Sequence, residues 1–274
     1  RLQREKEKER HKKEKEEERL QREKEKERHK KEKEEEQHKR EKAARRSKAG
    51  KIWASPSGIE FIQIPAGTFI MGSEKFDNAK PHQVTISRPF YIGKYQVTQR
   101  EWEMIMGNNP SKFKGDNHPV ENVSWNDCLK FIRKLNEKEN VNKYRFPTES
   151  EWEYACRAGS KTEYCFGNIE KLLHENAWFY ENSKERTHPV GQLKSNNWGL
   201  YDMHGNTWEW CNDYHDNYPK KAVIDPSGAK SGSNRVYRGG SWTNFANLCT
   251  SAYRSNFDPG IRFPDIGFRL TRSP

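Results

Sequence analysis

The first 36 residues are one 18-residue block written twice: RLQREKEKERHKKEKEEE fills 1–18 and returns unchanged at 19–36. Eighteen residues are five turns of an α-helix, so Leu2 and Leu20 fall on one line. They are the only apolar residues in either copy. A coiled coil needs apolar a and d positions throughout, and a globular core needs more than that. This stretch is therefore excluded from any core, and a folded domain must be built from the residues C-terminal to it. Opposite charges three or four apart (Glu5 with Lys8, Glu9 with Lys13, Arg10 with Glu14) each favour a helix by only about 0.2–0.5 kcal/mol. Residues 1–51 are read as a charged helix, or a disordered segment of the same composition, that frays into a linker at AARRSKAG (43–50) and serves as a tether.

The tail also carries most of the chain's charge imbalance, with 23 Lys and Arg against 15 acidic residues in 1–51 and 28 against 25 in the rest. Interleaved glutamates dilute the one-sided positive face that phosphates require. Nucleic acid is therefore not the expected partner, although a basic scaffold remains an alternative. All nine Trp and all five Cys lie beyond residue 51, in a stretch long enough for one sizeable core. No apolar run approaches the roughly 20 residues of a membrane span. The cysteines (128, 156, 165, 211 and 249) are odd in number and irregularly spaced, which argues against a disulfide framework. With no visible secretory signal, they favour a reducing, cytoplasmic setting. Neither C-x-x-C nor H-x-x-x-H occurs to hold zinc.

Beyond Gly58, EFIQIPAGTFIMGS (60–73) alternates apolar and polar residues on both sides of Pro65-Ala66-Gly67 and predicts a β-hairpin. HQVTISRPFYIGKYQVT (82–98) supplies two further strands. Three helices are announced by a hydroxyl residue with an acid three places on: Thr98 with Glu101, Ser124 with Asp127, and Thr148 with Glu151. Each pair forms a capping box. Cys128, Phe131, Ile132 and Leu135 share one helical face and read as core, as does Cys156. Beyond residue 160 regular periodicity is scarce, and Trp and Gly are frequent.

IPAGTFIMGS, YQVTQREWEMIMG, HPVENVSWNDCLKFIRKLN, RFPTESEWEYACRAG, GLYDMHGNTWEWCND, RVYRGGSW and GFRL follow one another in that order from 64 to 270. Together they resemble the sulfatase-modifying, formylglycine-generating enzyme family over essentially all of 56–272. The resemblance implies an α+β, loop-rich C-type lectin fold occupying 52–274. That family includes enzymes that oxidise a protein cysteine to formylglycine, iron-dependent sulfoxide synthases, and members that only bind ligands. Fold alone does not choose among them.

In the formylglycine-generating branch two cysteines after the Gly-Gly-Ser-aromatic element hold copper, and soft sulfur is what a cuprous ion prefers. Carried onto this chain from Gly239, the second position is Cys249 and the first is Asn244. An amide supplies neither a thiolate nor a disulfide partner. Cys249 is then catalytic only in a rearranged copper oxidase, with Cys211 as a replacement for the missing sulfur, and otherwise packs as a small semi-buried residue beside Trp242. His174, His188, His204 and His215 show no ligand spacing for an iron site.

From Thr243 to Pro274 there is no Lys, Glu, Gln, Met or Trp. These five are the residues that N-N-C codons, the product of randomised adenines in AAC, do not encode. The frame RGGSWxNxANxCxSAxRxNxxPxxRxxxIGFR resembles the variable proteins of diversity-generating retroelements. That likeness implies a variable binding face over 239–269, with Thr243, Phe245, Leu248, Tyr253, Ser255, Phe257, Asp258, Ile261, Phe263, Pro264 and Asp265 in its slots. Thr250 and Gly260 are further members, and Trp242, Arg254, Arg262 and Arg269 are framework beneath. The ligand implied is a protein surface. The family resemblance also implies calcium on Asp202, Gly205, Thr207 and Glu209 of DMHGNTWEW, since carboxylate and carbonyl oxygens suit that ion; the alternative is that Glu209 caps loop backbone N–H groups without metal. The expected function is a non-catalytic, ligand-binding recognition module that requires no cofactor.

Overall fold

The computed structural model describes residues 50–274, together with Gln21, Arg22, Glu25 and Arg28, which are helical and exposed. The remaining reading of the tail lies outside the described residues. Ala49–Pro274 is one compact unit and Arg1–Lys48 another; the strands and sheets belong to the former. Among the described residues no helix is long and apolar enough to cross a membrane.

Among the described residues, twelve short strands make three sheets. The largest runs β1 (Ile52–Ala54), β2 (Glu60–Ile64), β5 (Phe90–Gly93), β12 (Thr271–Arg272), β6 (Tyr144–Arg145), so the last strand of the chain is inserted between β5 and β6. The second runs β10 (Arg254–Phe257), β9 (Arg235–Arg238), β7 (Trp208–Tyr214), β11 (Ile266–Phe268), with β7 and β11 parallel. The third is β3 (Gly67–Met71), β4 (His82–Ile86), β8 (Val223–Ile224).

The hairpin expected over 60–73 does not form. Pro65-Ala66 separates two strands of different sheets: β2 pairs with β1 and β5, while β3 pairs with β4. Alternation identifies both strands correctly, but register depends on which faces must be buried, and both faces of β2 are claimed. Phe61 packs into one core cluster and Ile62 and Ile64 into another.

All three capping boxes are present. They start α1 (Gln99–Met106), α2 (Trp125–Lys138) and α3 (Glu149–Arg157). In each, the hydroxyl accepts from the N3 amide and the N3 acid reaches back to the cap N–H, worth about 1 kcal/mol per cap. Cys128, Phe131, Ile132 and Leu135 are buried on α2 as the periodicity requires, and Trp102 of α1 stacks on Phe131 at 5.4 Å. In α3 all nine residues are buried, Glu149, Glu151 and Glu153 among them. Three buried carboxylates on a helix without a solvent face require cationic partners: Arg145 serves Glu151, Arg157 of the helix itself serves Glu153, and Arg238 and Arg254, near the C-terminus, serve Glu149 and Glu153.

Candidate functional site

The C-terminal segment leaves β9 at Arg238 and returns to the sheets at β11. Two glycines open it. Gly240 sits at φ +74°, and a Cβ there would lie 2.5 Å from Cys249 Sγ, so only glycine lets the chain double back over that thiol. Strand β10 then pairs antiparallel with β9, Arg254 opposite Arg238.

Beneath the segment lies an ion-pair cluster. Arg238 Nη1 donates to Glu149 Oε1 at 2.8 Å, and its Nη2 donates to the Glu153 carboxylate and to Ser251 O. Arg254 grips Glu149 with two N–H groups, at 2.7 and 2.6 Å. It also donates to the carbonyls of Asn78 and Asp216. Arg157 Nε closes the cluster on Glu153 at 2.8 Å. Burial pushes the Glu149 carboxyl up, but Arg254 and Arg238 outweigh it and hold Glu149 below the ordinary value. Asp213 accepts from the Glu149 N–H at 2.9 Å, and burial followed by the Glu149 charge pushes it up to about 8. Arg269 is equally buried and holds Glu209 through Nε at 3.0 Å and Nη2 at 2.8 Å.

Above this framework the side chains are of the opposite kind. Phe245, Phe257 and Phe263 are 57%, 40% and 38% exposed. Phe257 meets Phe263 edge-on at 5.5 Å. Trp242 Nε1 donates to Pro264 O at 3.1 Å, tying that pair to the start of the segment. Asp265 accepts from the hydroxyls of Ser241 at 2.9 Å and Thr243 at 3.1 Å. Thr243, Asp258 and Gly260 are exposed; Leu248, Tyr253, Ser255, Ile261, Pro264 and Asp265 are half-buried. Tyr253 turns between Phe76 and Trp208, at 5.3 and 6.0 Å.

Two assignments change. Thr250 is buried, with its hydroxyl accepting from the Tyr253 N–H, so it supports the segment and does not face outward. Arg262 is not framework beneath the face: it is half-exposed and pairs with Asp127 at 2.7 Å. The fold also adds aromatics that no local pattern marks. Tyr180, itself 52% exposed, packs on Phe245 at 4.6 Å and its N–H donates to Asn244 O, while Phe113 meets Trp242 edge-on at 5.3 Å. Both come from distant upstream loops, so sequence spacing carries no trace of the contact.

The copper positions do not suit a cuprous ion. Cys249 is fully buried, and burial pushes its thiol up to about 12. It packs in a cluster with Tyr164, Leu173, Ala177, Phe179 and Ala246, not beside Trp242 as expected. Asn244 is a turn residue, its Oδ1 accepting from the Ser241 N–H and hydroxyl at 2.9 and 2.7 Å. Cys211 belongs to a different core cluster, so it does not replace the missing sulfur. His204 donates from Nδ1 to Cys249 O at 2.7 Å and accepts the Cys165 N–H on Nε2 at 3.2 Å. Burial lowers its pKa to about 4 and keeps it neutral. All five cysteines are buried, and none is in a disulfide.

The calcium set fits no better. Both Glu209 oxygens are occupied, by Arg269 and by Trp152 Nε1 at 2.7 Å, and Asp202 Oδ2 accepts from the Gly191 N–H. Among the described residues no three His, Cys, Asp or Glu side chains gather as a metal-ligating group. Glu209 is held by a guanidinium and an indole, and not by the loop backbone N–H groups expected.

Comparison with known proteins places this geometry. The variable protein 1 of Treponema denticola superposes with a TM-score of 0.77 at 33% identity, covering 82% of this chain and 99% of that one. The chaperone protein LppX of Paenibacillus barcinonensis is 31% identical over 78% of this chain and 89% of its own length. The formylglycine-generating enzyme of Streptomyces coelicolor is 34% identical over 66% of this chain, which spans 60% of that enzyme. The sulfatase-modifying factor enzyme 1-like domain profile matches residues 48–274. That match runs through the whole globular unit, and the chain belongs to the sulfatase-modifying factor enzyme 1-like domain family.

Proposed function

We propose that this protein is a non-catalytic recognition module: residues 52–274 form the binding domain, 239–269 its variable contact surface, and 1–51 a charged tether. One observation carries the reading. Where the oxidase branch needs two reactive sulfurs, this chain has one fully buried thiol and one asparagine spent on a turn. What the segment presents outward instead is aromatic: Phe245, Phe257 and Phe263, with Tyr180 alongside. Rigid, amphipathic side chains of this kind anchor protein interfaces at low entropic cost, so the ligand is a protein surface. The likeness to a Treponema denticola variable protein over 99% of its length supports the same reading. A separation between buried ion pairs that fix the segment and exposed positions that touch little is what a diversified surface requires.

Two measurements test it. Titration with Cu(I), followed by incubation with a cysteine-containing sulfatase peptide, is expected to give no stoichiometric tight copper and no aldehyde; both together would end the proposal. A library with N-N-C codons at the eleven slots, displayed and selected against hen lysozyme, is expected to be mostly folded and to yield binders. A library that is mostly unfolded contradicts the variable-face assignment.

A further inference from the structure

The loop from Asp202 to Glu209 joins both ends of the binding segment. The Gly205 N–H donates to Gly239 O at its start, and β7, which begins at Trp208, pairs with β11 at its end. Gly205 lies at φ +81° with its backbone against Trp178 O. Three carbonyls of this loop turn toward one point, and a side chain occupies that point. Gln96, 1% exposed, directs Nε2 to Thr207 O at 2.8 Å and to Asp202 O and Gly205 O at 3.4 Å each. The backbone after it is clamped, with the Val97 N–H on Phe268 O and the Val120 N–H on Val97 O. The amide orientation follows from this network: reversing it would aim Oε1, which has no partner, at three carbonyl oxygens.

We propose that Gln96 and Arg269 together replace a divalent cation in this loop, so that the binding segment is organised without metal. A calcium ion here would need oxygens at about 2.3–2.6 Å and carboxylates to balance its charge. The converging carbonyls instead receive an amide N–H₂. The Glu209 carboxylate is neutralised by the Arg269 guanidinium, which is also anchored on Gly93 O and Tyr201 O. A cation at that point would have to displace the amide and compete with a fixed positive charge for Glu209. The amide N–H₂ and the guanidinium supply here the electropositive partners that an ion would supply.

The test reads thermal stability and terbium luminescence on the full chain. The parent protein is expected to melt at the same temperature in excess EDTA and in excess calcium, and to give no saturable terbium signal. A calcium site would raise the melting temperature by about 5–10 °C at calcium a hundredfold above its dissociation constant, and such a rise, or saturable terbium binding, overturns the proposal. Gln96→Glu places a carboxylate among the carbonyls. It is expected to melt lower in EDTA, to recover in calcium, and to acquire terbium luminescence. A Q96E protein indifferent to calcium shows that the amide does not stand at a cation's place and overturns that part. Gln96→Met, which keeps the volume and removes the donors, is expected to melt lower with no rescue by calcium; rescue counts against the proposal. Cu(I) and library results leave this outcome untouched, so the two readings fail separately.

Discussion

The two layers of the C-terminal segment reverse the usual distribution of side chains. Underneath, Arg238, Arg254 and Arg269 are buried with Glu149, Glu153 and Glu209; on top, Phe245, Phe257 and Phe263 face solvent. The lower layer consists of directional contacts in which each arginine is bonded to several fixed acceptors, so each member is hard to replace. Most contacts in the upper layer are edge-on and partial, so its members can change without disturbing the fold. The difference shows how one scaffold can keep its shape while its surface varies: specificity of fold sits in charge pairing, and specificity of binding in exposed rings.

The largest expected effect comes from breaking the lower layer. Arg238→Ala leaves Glu153 and Glu149 short of a guanidinium in the interior, and removing one partner of a buried pair costs about 3–5 kcal/mol. Urea denaturation should show a midpoint far below that of the parent, or no folded protein. Arg238→Met combined with Glu153→Leu should recover part of the loss, since replacing a buried pair with apolar groups avoids the orphaned charge. If the single change costs no more than a surface substitution, the two layers do not differ as argued.

A smaller effect follows from Asp213 at the edge of the same cluster. With its carboxyl pushed up to about 8 from the ordinary 3.8, the folded chain holds a proton that the unfolded chain has released. The fold then loses stability as pH rises through that window. Glu121, which burial pushes up to about 7, has the same sign. His204 acts oppositely: lowered to about 4 from 6.5, it costs stability as pH falls through that range. The two raised carboxyls outweigh His204, so the melting temperature is expected to fall from about pH 5 to about pH 8 and to level off above that. Asp213→Asn keeps an acceptor for the Glu149 N–H and should flatten the decline between about pH 7 and 8, where Asp213 alone of these groups titrates; an unchanged slope refutes the role given to Asp213.

What is legible in the sequence divides along the same line. Local signals read correctly: capping boxes at Thr98, Ser124 and Thr148 depend on residues three apart, and the buried face of α2 depends on a period of 3.6. Ordered motifs place Arg254 and Arg269 in the framework. Their partners are invisible, because Glu149 lies 105 residues from Arg254 and SEWEYA reads locally as a half-exposed helix. Arg262 carries the same motif signal as Arg254 yet lies outside, since what buries an arginine is a carboxylate waiting in the core, and Asp127 waits at the surface. The β2–β3 hairpin fails for a related reason: alternation reports strands, not the sheet that claims them. Gln96 escapes notice because one glutamine before Val-Thr carries no pattern until three distant carbonyls converge on it.

The smallest effect on stability, and the sharpest test of the comparison, belongs to the upper layer. Phe257→Ser and Phe263→Ser each remove one edge-on ring contact at a position 38–40% exposed. Such surface changes usually cost about 0.5 kcal/mol, with up to about 1 kcal/mol more from the lost ring pair. Because the two rings touch, the double substitution should cost less than the sum of the singles, and a double-mutant cycle in urea measures that coupling. Phe245→Ser should behave alike through Tyr180. In a lysozyme-selected binder that retains these rings, the same changes should weaken affinity tenfold or more, roughly 1.4 kcal/mol, while melting hardly moves. Loss of fold instead of loss of binding would mean that the exposed rings belong to the scaffold, and the distinction between the layers would not hold.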